Sequence, residues 1–491
     1  MAINFFREEP DSYANSSDIM KDLNMTFIVR NIANENYGDA PYIAEVLQHP
    51  LRREEDIKKR QQLIGTACRH EGLISELRRI IVETSECLDQ QLKAIQDSRG
   101  KHLTHETNIG IYLEAVRHLV QGLDELSALM NREEKLFSDT LFREFRDDFY
   151  REETREELEE QKYLVSHLDS FKDKGEMLLQ VSIGEGFKLQ DMQILDVKEK
   201  AGRLQTGFFM TKKNPAIVDE KVYDSAVEFI NRTILELLDE CIPFLLRWQG
   251  LLHPMKRQIM FLNGCAGFYN RCREKGMYFC MPDAEEKAAD KLYELSLALQ
   301  TLTMPVSNTV GFPSYRTIIV TGANQGGKST FLRSLGIAQV MCQAGMYVPA
   351  KAYPLHAYQD IFPHFTRRED ATMNMGKFEE ELHRMGDILE KSKPDTLFLL
   401  NESFATTTEV TAYQIAMDLV HAGMETGRTI WMVTHITTFA KALFGEHNDE
   451  VLFLSAGRSV NEGEVRYRMI EKMPEDTSYG LELYDEMIKN V

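Results

Sequence analysis

The chain has 491 residues, too many for one ordinary domain, and this length predicts two to four domains. A hydrophobic content of 43% and a charged content of 27% are typical of a folded globular protein. The formal net charge of −20 argues against a general nucleic-acid binder, because neutralising phosphates requires clustered lysine and arginine. Residues 52–60 and 78–79 are candidates for a local basic patch, although a solvated helix face is the simpler interpretation.

The sequence carries no sign of export or membrane insertion. Its first residues lack the apolar core of a signal peptide, and no apolar run approaches the length of a membrane span. Seven cysteines are scattered without a paired CxxC motif. Cys265, Cys272 and Cys280 fall at roughly helical spacing, which favours core thiols over zinc ligands. A reduced, cytoplasmic protein is therefore predicted.

Residues from about 18 to 300 are predicted to be mostly helical, because apolar residues recur there at spacings of three and four. Between residues 131 and 170 the chain is rich in glutamate and arginine. Four apolar residues recur there every fourth position, namely Phe137, Leu141, Phe145 and Phe149. This pattern predicts one long amphipathic helix, either a lever or coiled-coil arm or a well-solvated helix of a bundle.

The helical pattern is interrupted once before residue 300. Residues 178–183 and 192–195 are predicted to form short strands near turns at Gly184 and Gly186, within a small β segment at about 177–212. Helices are predicted to resume at about residue 220 and to continue to about residue 302. Breaks are expected in them at Pro243, Pro254 and Pro282.

A domain boundary is predicted at 303–314, where Pro305, Gly311 and Pro313 cluster. Beyond it, strands alternate with helices. The predicted strands are 316–321, 395–401, 428–434, 451–455 and 464–470. The chain is thus predicted to be an α+β multidomain protein, with a helical core or lever domain at 1–302 and a three-layer α/β nucleotide-binding domain at 303–491.

The most informative segment is a G-x-x-x-x-G-K-[ST] loop between a β-branched run and a helical run. Backbone amides and a helix N-terminus make such a loop a phosphate cradle, so ATP and Mg²⁺ are expected. A chance glycine-rich turn would not sit between a strand and a helix. Lys328 is predicted to contact the β- and γ-phosphates, and Ser329 to bind Mg²⁺. The predicted nucleotide-binding residues are Gly322, Asn324, Gly326, Gly327, Lys328, Ser329 and Thr330.

Two further strand ends complete the predicted site. The apolar run 396–400 is followed by Asn401 and Glu402, where a phosphate-loop ATPase has a metal-ordering aspartate and a glutamate. Asn401 can still face the metal, but it brings no charge and weaker Mg²⁺ binding is expected. Glu402 is the candidate general base, and Lys328 the catalytic lysine. The run 429–433 ends in Thr434 and His435, which places His435 beside the γ-phosphate or the attacking water.

Together these elements resemble the MutS family of DNA mismatch-repair ATPases, which have an ABC-type nucleotide fold. Residues 321–330 (TGANQGGKST) are similar to the family's TGPNxGGKST loop, and 345–350 (GMYVPA) to its G-x-[YF]-V-P-A element. Thr434-His435 matches its TH switch, and residues 478–481 (SYGL) its late SYG[LI] element. Residues 49–61 and 266–283 resemble the two ends of its helical core.

The sequence also departs from the family pattern. The clamp region at 177–212 matches weakly, and the family's mismatch-reading and connector domains and its terminal helix-turn-helix are expected to be missing, because residues 1–17 and 482–491 leave no room for them. In the family, two ATPase domains pair and each borrows a signature serine from its partner. The resemblance therefore implies a dimer, and a homodimer is expected. The signature position maps to Gly376, which offers a backbone N–H but no hydroxyl.

Three functions compete on this evidence. The leading one is a MutS-like ATPase that uses ATP to switch a dimer of helical arms on branched or structured DNA. The second is a slow or non-hydrolysing, ATP-gated scaffold that does not bind DNA, favoured by the charge, Asn401 and Gly376. A chromosome-maintenance ABC ATPase with coiled-coil arms is the weakest, because only 74 residues separate Lys328 from Glu402.

Overall fold

A computed structural model describes residues 3–6, 11–99, 105–139, 141–151, 156, 158–163, 175–183, 189–199, 220–311, 316–323, 325–366, 376–456 and 466–475. The chain forms two compact units. The first comprises residues 1–5 and 72–259, and the second comprises residues 6–71 and 260–491. Residues 6–71 and 260–302 thus belong to the same compact unit as the α/β sheet. The domain boundary near residue 303 stays a prediction.

The first unit is built from helices and one hairpin. Its helices are Glu71–Arg99, His105–Arg132, Glu134–Asp139, Phe142–Phe149 and the first part of Glu220–Glu274. Strands β1 (Gly175–Ile183) and β2 (Leu189–Glu199) pair antiparallel, with Gly175 opposite Glu199 and Ile183 opposite Leu189. The mostly helical character and the two predicted strands at 178–183 and 192–195 are confirmed, while the turns at Gly184 and Gly186 lie outside the described residues. Residues 200–212 of the predicted β segment lie outside the described residues.

The long helix predicted at 131–170 is wrong. Helix 105–132 ends at Arg132, and two short helices follow, the second of which ends at Phe149. Phe142, not Leu141, joins the buried aromatic cluster, in which its ring stands edge-on to Phe137 at 5.8 Å. Aromatic packing between the short helices therefore overrides the four-residue spacing that suggested one continuous helix.

The breaks predicted at Pro243 and Pro254 are also wrong, since both prolines lie inside the Glu220–Glu274 helix. An interior proline costs about 3 kcal/mol. The same stretch buries apolar side chains that each contribute about 1.5–3 kcal/mol. These are Leu245, Trp248, Leu252 and Met255. Packing around the prolines therefore outweighs their cost.

The second unit contains short N-terminal helices and an α/β sheet. Its helices are Ser16–Asp22, Met25–Ala33, Ala40–Gln48, Glu54–Arg69, the end of Glu220–Glu274, Leu295–Thr301, Lys328–Gln343, Lys377–Lys391, Glu409–Glu425 and Thr437–His447. Its strands are β3 (Ala288–Leu292), β4 (Asn308–Gly311), β5 (Thr317–Thr321), β6 (Asp360–Phe365), β7 (Thr396–Asn401), β8 (Thr429–Val433), β9 (Val451–Ala456) and β10 (Met469–Glu471).

Six strands form the central sheet in the order β10-β9-β5-β8-β7-β6. All neighbours are parallel except β10, which pairs antiparallel with β9. Val433 at the end of β8 lies opposite Val320 on one side and Asn401 on the other. The carboxyl ends of β5, β8 and β7 therefore meet at one edge of the sheet.

Both faces of this sheet are covered by helices, as a parallel sheet requires. One face packs Ile319, Phe398 and Met432 into a core shared with the helices 377–391, 409–425 and 437–447. On the other face lies helix 328–343, where Gly336 fits between Leu23 and Leu399; a Cβ at Gly336 would meet either leucine at 2.7 Å.

Four of the five predicted strands in this region are confirmed as β5, β7, β8 and β9. The fifth is wrong for most of its described part, since the strand there is Met469–Glu471 and residues 466–467 form a turn with Tyr467 at φ 71°; residues 464–465 lie outside the described residues. Strands β3, β4 and β6 were not predicted. β6 (DIFPHF) was not predicted because it contains Pro363 and His364, both buried. Proline is unusual in a strand and is tolerated in β6 because this strand lies at the edge of the sheet.

The prediction that helices continue to about residue 302 is confirmed at its end by helix Leu295–Thr301, but the long helix before it ends at Glu274 and β3 intervenes. Gly276 has φ 80°, and the Met277 amide donates to the Cys272 carbonyl at 3.0 Å, which closes the helix by a left-handed cap. The following residues pair with the GMYVPA segment through bridges such as Cys280 with Val348. The predicted core role holds for Cys265 and Cys272, which are buried, while Cys280 lies beyond the helix.

The candidate basic patches are mostly exposed, with Arg53, Lys58, Lys59 and Arg79 at the surface, but some of their arginines make contacts within the protein. Arg60 is 2% exposed, donates to the Ala344 carbonyl at 3.2 Å and stacks over the Phe6 ring. Arg52 donates to the Gln359 carbonyl at 3.0 Å. Arg79 pairs with Glu83 at 2.9 Å. The helix-face interpretation is the better one for both clusters. Separately, no helix in the described ranges is long and apolar enough to cross a bilayer.

One close helix contact in the first unit yields a stability prediction. A methyl group added at Gly122 would overlap the Thr84 side chain of the neighbouring helix. We expect Gly122→Ala to destabilise the protein by about 1–3 kcal/mol through overpacking, and Thr84→Ala to recover part of that loss. Gly250→Ala is the matched control, since nothing lies within 4 Å of its added Cβ. Urea unfolding measures all three, and equal midpoints for Gly122→Ala and the control would contradict the contact.

Candidate functional site

The glycine-rich loop joins β5 to helix 328–343 and packs against the end of β9. Gly322 has φ 114°, and a Cβ there would lie 2.8 Å from the Ala456 backbone nitrogen. A Cβ on Gly326 would lie 2.8 Å from the Ala456 methyl group. Gly327 caps the helix with φ 84°. Larger residues would push the loop off β9, which explains the glycines on local steric grounds. Asn324 lies outside the described residues.

Lys328 begins the helix that follows the loop, and it is buried at 4% exposure. Its Nζ donates to the carbonyls of Gly322 and Ala323, both at 2.9 Å. Burial lowers the pKa of the Lys328 ammonium, and the nearby Glu402 carboxylate works in the opposite direction. The buried Lys328 ammonium is thus paired with carbonyl groups of its own loop. From this position it can exchange these acceptors for the oxygens of an anionic ligand.

The loop forms one wall of a cavity of about 520 Å³. Another part of its lining is the connection between β3 and β4, which carries Leu297, Met304, Pro305 and Val306. Leu297, Met304 and Val306 are 36%, 39% and 37% exposed. Exposed apolar side chains grouped around a concave opening are typical of a site that covers them with a ligand. Ser329 and Thr330 line the same cavity.

Tyr467 also lines this cavity, although the sequence did not single it out. Its atoms lie 3.3 Å from the position of a Cβ on Gly327. Arg466 stacks over its ring, 4.8 Å from the centroid. Asn308 fixes the segment by accepting from the Met469 amide at 2.6 Å. A positive φ cannot be read from the residue type, so the pattern predicted a strand here.

Glu402 directly follows β7 and lines the cavity together with Lys328. Its backbone is left-handed, with φ 53°, and its amide donates to the Val433 carbonyl at 2.9 Å. That bond ties the first residue after β7 to the last residue of β8. The position of the Glu402 carboxylate at the strand end is therefore fixed by a defined turn. A general base needs such a fixed position to reach the proton that it accepts.

Asn401, the last residue of β7, is 7% exposed. Its Oδ1 is buried and, within the described part of the chain, makes no hydrogen bond. An unsatisfied buried oxygen is costly unless a ligand, an ion or water completes it. This amide oxygen and the hydroxyl of Ser329, in the first turn of helix 328–343, are the kind of oxygen ligands that suit a hard cation such as Mg²⁺.

The loop after Glu402 is held by two side chains from other elements. Glu381, on helix 377–391 and 8% exposed, accepts from the Phe404 amide at 2.6 Å and from Thr406 Oγ1 at 3.0 Å. The imidazole Nδ1 of His364, on β6, lies 2.7 Å from Ser403 Oγ. Phe404 is fully buried with φ 67°. Glu381 and His364 therefore fix the position of the segment that carries the candidate base.

Two predicted residues lie apart from this arrangement. His435 follows β8, as predicted, but it is exposed and is not among the residues that line the cavity. Gly376 is the exposed N-cap of helix 377–391, and nothing lies within 4 Å of the position that a Cβ would take there. The roles predicted for both residues stay predictions. The SYGL element at 478–481 lies outside the described residues.

Residues 318–488 match the family model of MutS domain V. The DNA mismatch repair protein MutS of Thermotoga petrophila is 29% identical over 171 residues, which make up 34% of this chain and 21% of that protein. MutS of Streptococcus thermophilus is 28% identical over 188 residues, 36% of this chain and 21% of that protein. MutS of Shouchella clausii is 32% identical over 138 residues, 28% of this chain and 15% of that protein.

These matches support a member of the MutS family, and they identify residues 318–488 as a MutS domain V. The likeness lies in the C-terminal part of the chain and spans about a fifth of the length of the first two relatives. The matched range contains Lys328, Ser329, Asn401, Glu402 and Tyr467. The likeness to MutS thus covers the glycine-rich loop and the ends of β7 and β8, whereas the helical segments 49–61 and 266–283 lie outside the matched range.

The contacts of Glu381 yield a prediction. Glu381→Ala leaves the buried Phe404 amide without its acceptor, so we expect a loss of about 1–3 kcal/mol in the free energy of unfolding. Hydrogen exchange should also accelerate in the peptide that contains residues 402–406. Glu379→Ala, at an exposed position of the same helix, is the matched control. Unchanged exchange in 402–406 for Glu381→Ala would show that Glu381 does not hold this loop.

Proposed function

We propose that this protein is a MutS-like, Mg²⁺-dependent ATPase in which ATP binding switches a dimer of helical arms. The observation that carries the proposal is the joint lining of one cavity by Lys328, Ser329 and Glu402, together with exposed apolar side chains. The match to MutS domain V supports the same assignment, because it covers these three residues.

The cavity offers complementary walls to the two ends of a nucleotide. The loop amides and the N-terminus of helix 328–343 favour the phosphates. Lys328 would exchange its two carbonyl acceptors for phosphate oxygens, an exchange that keeps the buried ammonium paired. The apolar wall and the Tyr467 ring favour a flat, weakly polar base. The proposal therefore places the triphosphate on the loop and the base between residues 304–306 and Tyr467.

Mg²⁺ fits this chain through Ser329 and Asn401. The unsatisfied Oδ1 of Asn401 is the structural feature that supports the assignment. When bound, the ion would neutralise charge on the β- and γ-phosphates. Because Asn401 is neutral, the proposed site has one negative charge fewer than a site with aspartate at this position. Weaker Mg²⁺ binding is therefore expected.

Glu402 is the proposed general base, presented by the bond from its amide to Val433 and by the loop that Glu381 anchors. A carboxylate there would accept a proton from the attacking water. His435, exposed after β8, is proposed to join the site only in the nucleotide-bound form. Such a step is compatible with a switch in which ligand contacts reorganise the residues following a strand.

Dimerisation is proposed to occur through the ATPase domains. Helix 377–391 leaves Leu382 and Leu389 39% and 42% exposed, seven residues apart on one face. Its N-cap Gly376 is exposed as well, so its backbone is accessible to a partner. An exposed apolar face beside an exposed N-terminus is suited to contact a partner's nucleotide.

Association with branched or structured DNA is proposed from the relatives, which are described as DNA mismatch repair proteins. The net charge of −20 and the internally paired arginines do not themselves supply a phosphate-binding surface. A protein that binds ATP but ignores DNA would correspond to the ATP-gated scaffold. DNA dependence is therefore measured in the same experiment as turnover.

The test is ATP turnover by the purified chain with and without branched DNA, beside Lys328→Ala as the blank. Glu402→Gln should retain ATP binding and lower turnover by about 10²–10⁴-fold, the usual contribution of a general base. It should also increase the dimer fraction seen by light scattering in the presence of ATP. Turnover by Glu402→Gln at the parental rate would refute the assignment of the base. Tight ATP binding with no turnover, indifferent to DNA, would identify the scaffold.

Position 401 gives an independent prediction. Asn401→Asp adds a carboxylate at the proposed metal position and should lower the Mg²⁺ concentration at half-maximal ATP binding by about tenfold, or about 1.4 kcal/mol. Asn448→Asp adds the same charge at an exposed position and should leave the titration unchanged. An identical Mg²⁺ titration for the parent and Asn401→Asp would mean that residue 401 does not face the metal.

A further inference from the structure

A second cluster of metal-binding side chains lies away from the nucleotide cavity. His421 belongs to helix 409–425, while Glu446 and His447 lie at the end of helix 437–447. One potential ligand atom from each residue lies within 4.8 Å of the other two. None of the three lines the 520 Å³ cavity. Two imidazoles and a carboxylate are a ligand set that zinc prefers.

The His421 side chain provides the observation that points to a ligand. Its Nε2 is buried and makes no hydrogen bond with any described residue. The same atom nevertheless lies 3.1 Å from Glu446 Oε2. This separation is an ion-pair distance when the imidazole is protonated, and it is also compatible with two ligands of one metal ion. Two ligands of one tetrahedral zinc, each at about 2.0–2.1 Å from it, lie about 3.3 Å apart.

His447 is the third residue of the cluster and directly follows Glu446 on helix 437–447. Its ring centroid lies 5.4 Å from that of His421, with 66° between the ring planes. Its Nδ1 lies 3.1 Å from Glu450 Oε2. Zinc-bound histidines commonly place their second ring nitrogen against a carboxylate, which orients the ring. Nδ1 is thus occupied by Glu450, and Nε2 is left for the metal.

We propose that His421 Nε2, Glu446 and His447 Nε2 bind one Zn²⁺ ion, with Glu450 as the carboxylate that orients His447 and water in the fourth position. The ion would clamp helix 409–425 to helix 437–447. The first of these helices links β7 to β8, and the second follows His435. The site is therefore a structural or regulatory clamp, and it does not depend on the proposed ATPase function.

The test is zinc and cobalt titration of the metal-stripped, nucleotide-free full chain. The parent should bind one Zn²⁺ per chain at this site. Replacing it with Co²⁺ should give visible absorption typical of tetrahedral nitrogen and oxygen ligands. His421→Ala and His447→Ala should each weaken binding by at least 100-fold, and Glu450→Gln by about 10-fold or more. His383→Ala, an exposed histidine on helix 377–391, is the matched control and should bind as the parent does.

Three outcomes would overturn the site. The parent could bind no Zn²⁺ at micromolar concentration. Binding could persist unchanged in His421→Ala and His447→Ala, which would place the ion elsewhere. The cobalt spectrum could show intense thiolate charge-transfer bands, which would assign the ion to cysteines. Circular dichroism of each variant, recorded without metal, distinguishes loss of the site from loss of the fold.

Discussion

The structure depends on the parallel register of three strands. With β8 between β5 and β7, the glycine-rich loop, the Thr434-His435 pair and Asn401-Glu402 all emerge from one edge of the sheet. Adjacent strands lie about 4.8 Å apart, so the loop and Glu402 are separated by only two strand spacings. A change in that register by one residue would turn Asn401 to the opposite face and dismantle the site.

The backbone at this edge is under local constraint. Among the described residues, Gln325, Glu402, Phe404 and Tyr467 all have positive φ without being glycine. Such conformations each cost about 1–3 kcal/mol and persist only where surrounding contacts fix them. Here the contacts are specific: Val433 accepts from the Glu402 amide, and Glu381 accepts from the Phe404 amide. These hydrogen bonds, made by residues of the folded sheet and its helices, keep the candidate base Glu402 in its strained conformation.

Sequence patterns predicted the parts that local chemistry encodes. The loop, the strands β5, β7, β8 and β9, and the placement of Glu402 in a cavity with Lys328 follow from apolar runs and motif spacing. Contacts between distant segments were not predictable in this way. Glu381 lies 23 residues from Phe404, and Tyr467 reaches the loop through a turn that resembled a strand. The helix breaks predicted at Pro243 and Pro254 do not occur, because the packing of a buried helix offsets the free energy that an interior proline costs.

The most direct test of the account is where a nucleotide binds. Photolabelling with 8-azido-ATP and Mg²⁺, followed by peptide mapping, identifies the residues beside the base. The account predicts labels within residues 292–308 or at Tyr467, abolished by excess ATP and absent in Lys328→Ala. Labels confined to other segments, or labelling that excess ATP does not prevent, would contradict the assignment of the cavity as the ATP site.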